Sequence, residues 1–306
     1  MKSNQPNQWS IKLHNVLIFN FLLKILRGIQ NHDFMLLRLL FLSFLIVTLS
    51  CRTTKNPYST TNAAYKKQAK QYAKLLGAYP LEDSVGLQTP PYWVGTTNFS
   101  MRKPNFVIIH HTAQNSCEQT LKTFTLPRTQ VSAHYVICRD GTVHHMLNDY
   151  LRAWHAGIAR WGNLTDVNSA SIGIELDNNG LEPFAEPQMN SLLSLLDRLK
   201  KAHGIPTANF IGHADIAPTR KNDPNIQFDW QLLANRGFGH WYNDTTGVKM
   251  PTDFSAKQAL RIIGYDIKDS TAAIVTFKRK FLKDEKNKVL NEGDKKVLFM
   301  VMQKYF

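Results

Sequence analysis

The stretch from His213 to Pro224, His-Ala-Asp-Ile-Ala-Pro-Thr-Arg-Lys-Asn-Asp-Pro, constrains this chain more than any other. It follows a short apolar run at residues 209–212, which reads as a strand, and so starts with a histidine at a strand end. His213 and Asp223 then bracket a loop stiffened by Pro218 and closed by Pro224, with the basic pair Arg220 and Lys221 just before the acid. A second β-rich run, Phe106-Val-Ile-Ile, delivers His110 and His111 at its own end. One histidine of that pair, with His213 and Asp223, makes a three-ligand zinc site. Such a site leaves the fourth position open to water, as hydrolytic zinc chemistry requires.

A zinc of this kind lowers the pKa of its water towards ~7 and polarises a carbonyl, and a nearby carboxylate then orients or deprotonates that water. Glu175 is the candidate. It stands in the apolar run Ile172-Gly-Ile-Glu-Leu, where an unpaired carboxylate would be costly. Lys221 is placed to stabilise a developing oxyanion.

The rest of the chain reads as a scaffold for that site. Strands are expected at 105–110, 171–176 and 209–212, and a hairpin at 134–147 turning on Asp140-Gly141. A helix is expected at 116–124. Another, at 187–203, carries Met189, Leu192, Leu193, Leu196 and Leu199 on one face and ends at Gly204. Strands interleaved with helices predict an α/β fold, a mixed central sheet flanked by helices, over residues 94–243. Residues 250–306 read as a small helical domain, with three short helices at 259–265, 272–281 and 295–305 and no titratable cluster.

The N-terminal part has a different character. The run from Met35 to Cys51 has a single Arg38, an apolar core and a small residue, Ser50, before Cys51, which is the layout of a signal peptide. Residues 1–34 then read as an over-extended N-terminus. Thr48-Leu49-Ser50-Cys51 resembles a bacterial lipobox, although Thr48 stands where leucine is usual, so Cys51 is the lipidation candidate and an uncleaved membrane anchor the alternative. Residues 52–93 read as a tether holding a short basic helix at 63–76. The chain is therefore expected to be exported and membrane-attached.

Charge and cysteines narrow the partner. The formal net charge of +14 implies an anionic partner. The basic residues are spread out and no nucleic-acid motif is present, which leaves a lipid surface or an acidic wall polymer. The three cysteines, at 51, 117 and 138, make no disulfide framework; Cys138 reads as a small core residue and Cys117 as part of a helix start.

Five ordered motifs carry a resemblance. Val107-Ile-Ile-His-His-Thr-Ala, Ser132-Ala-His-Tyr, Trp154-His-Ala-Gly, Ser171-Ile-Gly-Ile-Glu-Leu and the His213–Pro224 stretch together resemble the zinc-dependent N-acetylmuramoyl-L-alanine amidases, the fold group that includes peptidoglycan-recognition proteins. The resemblance implies zinc on His110, His213 and Asp223, not Asp215, with Glu175 as catalytic carboxylate and Lys221 on the oxyanion side. In phage-type members a tyrosine assists at the position held here by Ala133, so this chain is similar to the branch relying on the glutamate. His134, Trp154 and His155 look like pocket residues that touch the peptidoglycan or muropeptide substrate or support the residues that do, and Arg160 and Trp161, on the loop after Gly157, are expected to contact sugar or peptide. The implied reaction is hydrolysis of the amide between N-acetylmuramic acid and L-alanine of the stem peptide. The tail looks like a peptidoglycan-binding domain, which with Cys51 suits the periplasmic, outer-membrane lipoprotein members; a monomer is expected. A non-catalytic recognition protein on the same fold is the alternative. In that branch a zinc ligand is replaced, whereas all three stand here, as does Glu175.

Overall fold

The structure is a computed structural model that describes residues 56–78 and 94–306. The signal segment, Cys51 and the parts of the tether flanking residues 56–78 lie outside the described residues. The chain divides into two compact units, Met1–Gln88 and Thr89–Phe306. In the first, helix α1 (Ser59–Leu76) begins one turn before the expected 63–76, has no buried residue and exposes Lys66, Lys67, Lys70 and Lys74. Among the described residues, no helix is long and apolar enough to cross a membrane.

The second unit is built on a five-stranded sheet. In chain order come β1 (Phe106–His111), α2 (Cys117–Thr125), β2 (Tyr135–Ile137), β3 (Val143–His145), the short α3 (Val167–Ala170), β4 (Ser171–Leu176), α4 (Glu186–His203), β5 (Phe210–Gly212), the single turn α5 (His213–Ile216) and α6 (Trp230–Asn235). The tail adds α7 (Ala256–Ile263), α8 (Ser270–Leu282) and α9 (Glu292–Met302). The strand order is β3-β2-β4-β1-β5. The β2–β4, β4–β1 and β1–β5 pairs are parallel and the β2–β3 hairpin is antiparallel, so the sheet is mixed and flanked by helices, as predicted.

Strand alternation divides the interior into two cores. Val107 and Ile109 of β1, with Ile172, Ile174 and Leu176 of β4, face α4 and pack on Met189, Leu192, Leu196 and Leu199. Leu195 completes that helical stripe, whereas Leu193, placed on it from the sequence, is only half-buried at its edge. The opposite face carries Ile108 and Ile211, which join one apolar cluster with Ala259, Leu260, Phe277, Leu298 and Val301 of the tail. The tail helices are capped by their own side chains. Ser255, Asp269 and Asn291 each accept from a backbone amide three residues on, which satisfies donors that a helix start leaves unpaired.

The cysteine expectation is corrected. Cys117, at the start of α2, and Cys138, just after β2, form a disulfide with Cα atoms 5.3 Å apart. Packing of α2 against β2 brings together residues that are 21 positions apart in sequence. Cys138 is buried as expected, but as half of a cross-link.

Candidate metal centre

Parallel pairing places the C-terminal ends of β1, β4 and β5 at one edge of the sheet, where open α/β sheets hold ligands. His110 near the end of β1, Glu175 near the end of β4 and His213 immediately after β5 converge there. In β4 the residues facing this side are Ser171, Gly173 and Glu175, alternating with the Ile172, Ile174 and Leu176 set of the α4 core. Glu175 is thus the last residue of a small and polar face, which a reading of the strand as simply apolar overlooks.

Asp223 returns from the loop to join the two histidines. Its backbone carbonyl accepts from the Ala214 amide at 2.8 Å, which ties the far end of the loop to the turn that carries His213. Asp223 Oδ2 lies 3.0 Å from His213 Nδ1 and 3.1 Å from His110 Nδ1, and the two ring nitrogens are 2.9 Å apart. All three residues are buried.

Outer hydrogen bonds decide which ring nitrogens carry protons. The Ser171 hydroxyl donates to the Val167 carbonyl at 2.6 Å, so its oxygen accepts from His155 Nε2, 3.2 Å away. His155 Nδ1 is then an acceptor and takes the proton of His110 Nε2 at 3.0 Å. His110 Nδ1 is left with a lone pair facing the cluster. On the other side His213 Nε2 donates to the Ala156 carbonyl at 3.0 Å, which leaves His213 Nδ1 as a second lone pair. Two imidazole lone pairs and a carboxylate oxygen pointing at one another repel unless a cation or a shared proton lies among them. Fixing the tautomer of a ligating histidine through its other nitrogen is how metal sites are oriented. The donor set, two nitrogens and one oxygen, suits zinc.

Charge at the site is strongly conditioned by burial. Burial, with the positive potential of His213, lowers the His110 pKa to about 4, so the ring is neutral at pH 7. Burial pushes Glu175 up to about 8; the negative charge of Asp223 adds to the effect and Lys221 opposes it. For Asp223 burial acts upwards as well, but hydrogen bonding from His110 and His213, which a proton shared among the three groups supplies, outweighs it and holds the carboxyl well below the usual range. Glu175 Oε1 lies 4.0 Å from His110 Nδ1, and its buried Oε2 has no hydrogen-bond partner.

The remaining candidates fall in different places. Trp154 is 52% exposed on the loop that precedes Ala156, and Arg160 is half-buried with its Nε donating to the Gly162 carbonyl. His155, expected to touch substrate or to support a residue that does, lies behind His110 in a supporting place. Its ring packs flat against Gly173, where a Cβ would come within 2.4 Å of it. His134 is fully buried: its Nδ1 accepts from the Gly173 amide and its Nε2 donates to the Leu151 carbonyl, which leaves no ring nitrogen for substrate. Trp161, also expected near substrate, is buried against the tail. It lies edge-on to Tyr265 and so close to Gly264 that any side chain there would collide with the indole. His134 is thus held by backbone partners and Trp161 by packing against the tail.

Sequence reasoning missed the groups that shape the loop around Ala156. Asn168 Oδ1 accepts from the amides of His155 and Ala156, at 3.1 and 2.9 Å. Arg220 donates to the carbonyls of Ala156 and Ile158, stapling that loop to the His213–Asp223 loop. In the sequence Arg220 reads only as a base beside Lys221; no local pattern distinguishes a carbonyl staple from a solvated arginine.

Similarity to known proteins points the same way. A family model described as N-acetylmuramoyl-L-alanine amidase matches residues 100–226. The N-acetylmuramoyl-L-alanine amidase AmiD of Escherichia coli (strain K12) is 34% identical over an alignment of 187 residues that covers 53% of this chain and 67% of that protein. The 1,6-anhydro-N-acetylmuramyl-L-alanine amidase AmpD of Haemophilus influenzae is 39% identical over 103 residues, covering 33% of this chain and 56% of that one. Among solved structures, E. coli AmiD in complex with anhydro-N-acetylmuramic acid-L-Ala-D-gamma-Glu-L-Lys aligns with a TM-score of 0.61 and 27% identity, over 72% of this chain and 97% of that one. AmpDh3 of Pseudomonas aeruginosa aligns with a TM-score of 0.60 at 24% identity, over 74% of this chain, a likeness of fold.

Proposed function

The chain belongs to the N-acetylmuramoyl-L-alanine amidase family, and from that premise we propose that it is a zinc-dependent hydrolase of the amide joining N-acetylmuramic acid to the L-alanine of peptidoglycan stem peptides. The observation that carries this reading is the convergence of His110 Nδ1, His213 Nδ1 and Asp223 Oδ2 beside a buried carboxylate with an unpartnered oxygen.

In this reading His110, His213 and Asp223 hold zinc. When bound, the ion acts as a Lewis acid on the scissile carbonyl and makes water a nucleophile at neutral pH. Once ionised, a state that the charge of Lys221 favours and that a bound cation would favour further, Glu175 accepts the proton of the attacking water at its free oxygen. It then returns that proton to the nitrogen of the leaving L-alanine, as a single carboxyl group poised between the two states can do. Lys221, whose charge is felt at both Glu175 and His110, donates to the oxygen that becomes negative in the tetrahedral transition state. The His155–Ser171 chain keeps His110 in the ligating tautomer throughout.

The same reading extends to place and partners. The chain acts outside the cytoplasm, attached to a membrane through Cys51, with the tail contributing affinity for peptidoglycan. The Cys117–Cys138 disulfide supports export, because such bonds persist in oxidising compartments. A wall fragment carrying peptide carboxylates complements a chain of net charge +14.

The test is incubation of the purified, zinc-loaded protein and its Glu175→Ala variant with isolated peptidoglycan and with soluble muropeptides. Mass spectrometry should find free stem peptides beginning with L-alanine from the wild type alone. Binding to the wall with no product from either substrate would instead establish a recognition protein.

A further inference from the structure

Asp215 lies two positions beyond His213 and is almost wholly buried, yet its carboxylate points away from the metal cluster. Oδ2 accepts from the Gly212 amide at 2.8 Å and from the Lys280 ammonium at 2.7 Å, while Oδ1 accepts from the Tyr265 hydroxyl at 2.8 Å. Lys280 is buried too, with its ammonium 4.1 Å from the centre of the Trp230 ring. Gly212 is the residue immediately before His213. Tyr265 and Lys280 come from the tail, which the sequence presents as a domain without chemistry of its own.

A buried ion pair rarely stabilises a fold more than apolar side chains of the same volume would, because both ions lose their hydration. What such a pair supplies is a fixed geometry. Here the fixed point is the turn α5. Asp215 holds the backbone amide of Gly212, the residue that leads into the turn, and Ala214, inside the turn, holds the backbone carbonyl of Asp223. Both candidate ligands of the His213–Asp223 loop are therefore referred to one anchor, and two of the anchor's three partners lie in the tail.

We propose that Lys280 and Tyr265 are positioning residues for the metal centre. Acting through Asp215, they set the turn that directs His213 Nδ1 and Asp223 Oδ2 towards His110, so that the tail is a working part of the metal site. This rests on reading the cluster as a zinc site.

The experiment uses the full chain as wild type, Lys280→Met, Lys280→Arg and Tyr265→Phe, each checked by circular dichroism for a folded state. Zinc dissociation constants are measured by competition with a chromophoric chelator, and the visible spectrum of the cobalt-substituted protein reports ligand geometry. Lys280→Met should weaken zinc binding ~10-fold, the lower end of what lost outer support costs a metal site. It should also alter the cobalt spectrum, with Lys280→Arg closer to wild type. Tyr265→Phe removes a single hydroxyl and should weaken binding by a smaller factor; it decides the matter if Lys280→Met does not fold. Wild-type zinc affinity and cobalt spectrum in the folded variants would overturn the proposal alone. A wild-type chain that binds no zinc would overturn the zinc reading and this proposal with it.

Discussion

His110 and Glu175 are register partners on adjacent parallel strands, with Nδ1 of the histidine 4.0 Å from Oε1 of the glutamate. Residues paired across a sheet point to the same face, so the β1–β4 ladder itself sets the candidate base beside the candidate ligand. No flexible loop intervenes. Sites carried on strands hold their geometry better than sites on loops.

Replacing Glu175 with glutamine keeps the shape of the side chain and removes the proton acceptor. The kcat/KM for muropeptide hydrolysis should fall by about 10²–10⁴-fold, the usual range for a lost general base, with zinc content unchanged. Parallel kinetics and metal analysis check it; a variant retaining near wild-type kcat/KM would remove Glu175 from the mechanism.

The tautomer chain makes a separate prediction about metal affinity. His155→Ala deprives His110 Nε2 of its acceptor, and Ser171→Ala deprives His155 of its own. Zinc binding should weaken by about 10–100-fold in the first and by less in the second. Gly173→Ala tests the same chain by steric means, since the added methyl would lie 2.4 Å from the His155 ring. The ring must move, at a cost of ~1–3 kcal/mol in stability, with zinc affinity falling alongside. Titration with a chelator and urea denaturation separate the two effects.

His134 gives the fold an acid-sensitive element. Its buried ring, desolvated and close to the Arg102 guanidinium, has its pKa lowered to about 4, against about 6.5 in an unfolded chain. Between those values the unfolded state holds a proton that the folded state refuses, so this contribution to stability falls as pH drops from about 6.5 through about 4. His134→Gln should be less stable at pH 7 but should show a shallower dependence across that window, by up to ~1.4 kcal/mol per pH unit. Urea unfolding at closely spaced pH values measures it, and an unchanged slope would refute the assignment.

The disulfide closes a loop between positions 21 apart. Constraint of the unfolded chain by a loop of that size is worth about 3 kcal/mol. The double variant Cys117→Ser, Cys138→Ser should therefore unfold at lower urea concentration while retaining zinc affinity, because neither cysteine touches the cluster. Loss of zinc binding in the folded double variant would show a coupling that the structure does not contain.

What the sequence determined by itself was local. Strand ends bearing histidines, a loop stiffened by proline that ends in an aspartate, and one carboxylate inside an apolar run are short-range patterns, and they singled out the pair His110 and His111, His213, Asp223 and Glu175 as candidates, the choice of His110 coming from the resemblance. Alternation within Ser171–Leu176 also lay in plain view: small and polar residues on one side, branched apolar ones on the other. Tertiary structure alone decided which groups serve those residues. The acceptor for His110 lies 45 positions away at His155, and the anchor of the His213 turn reaches Lys280, 65 positions beyond Asp215. The cysteine pair and the burial of His134 and Trp161 belong to the same class. Hydrogen-bond partners and packing neighbours depend on where distant segments meet, and such meetings leave no periodicity or spacing in the chain to be read.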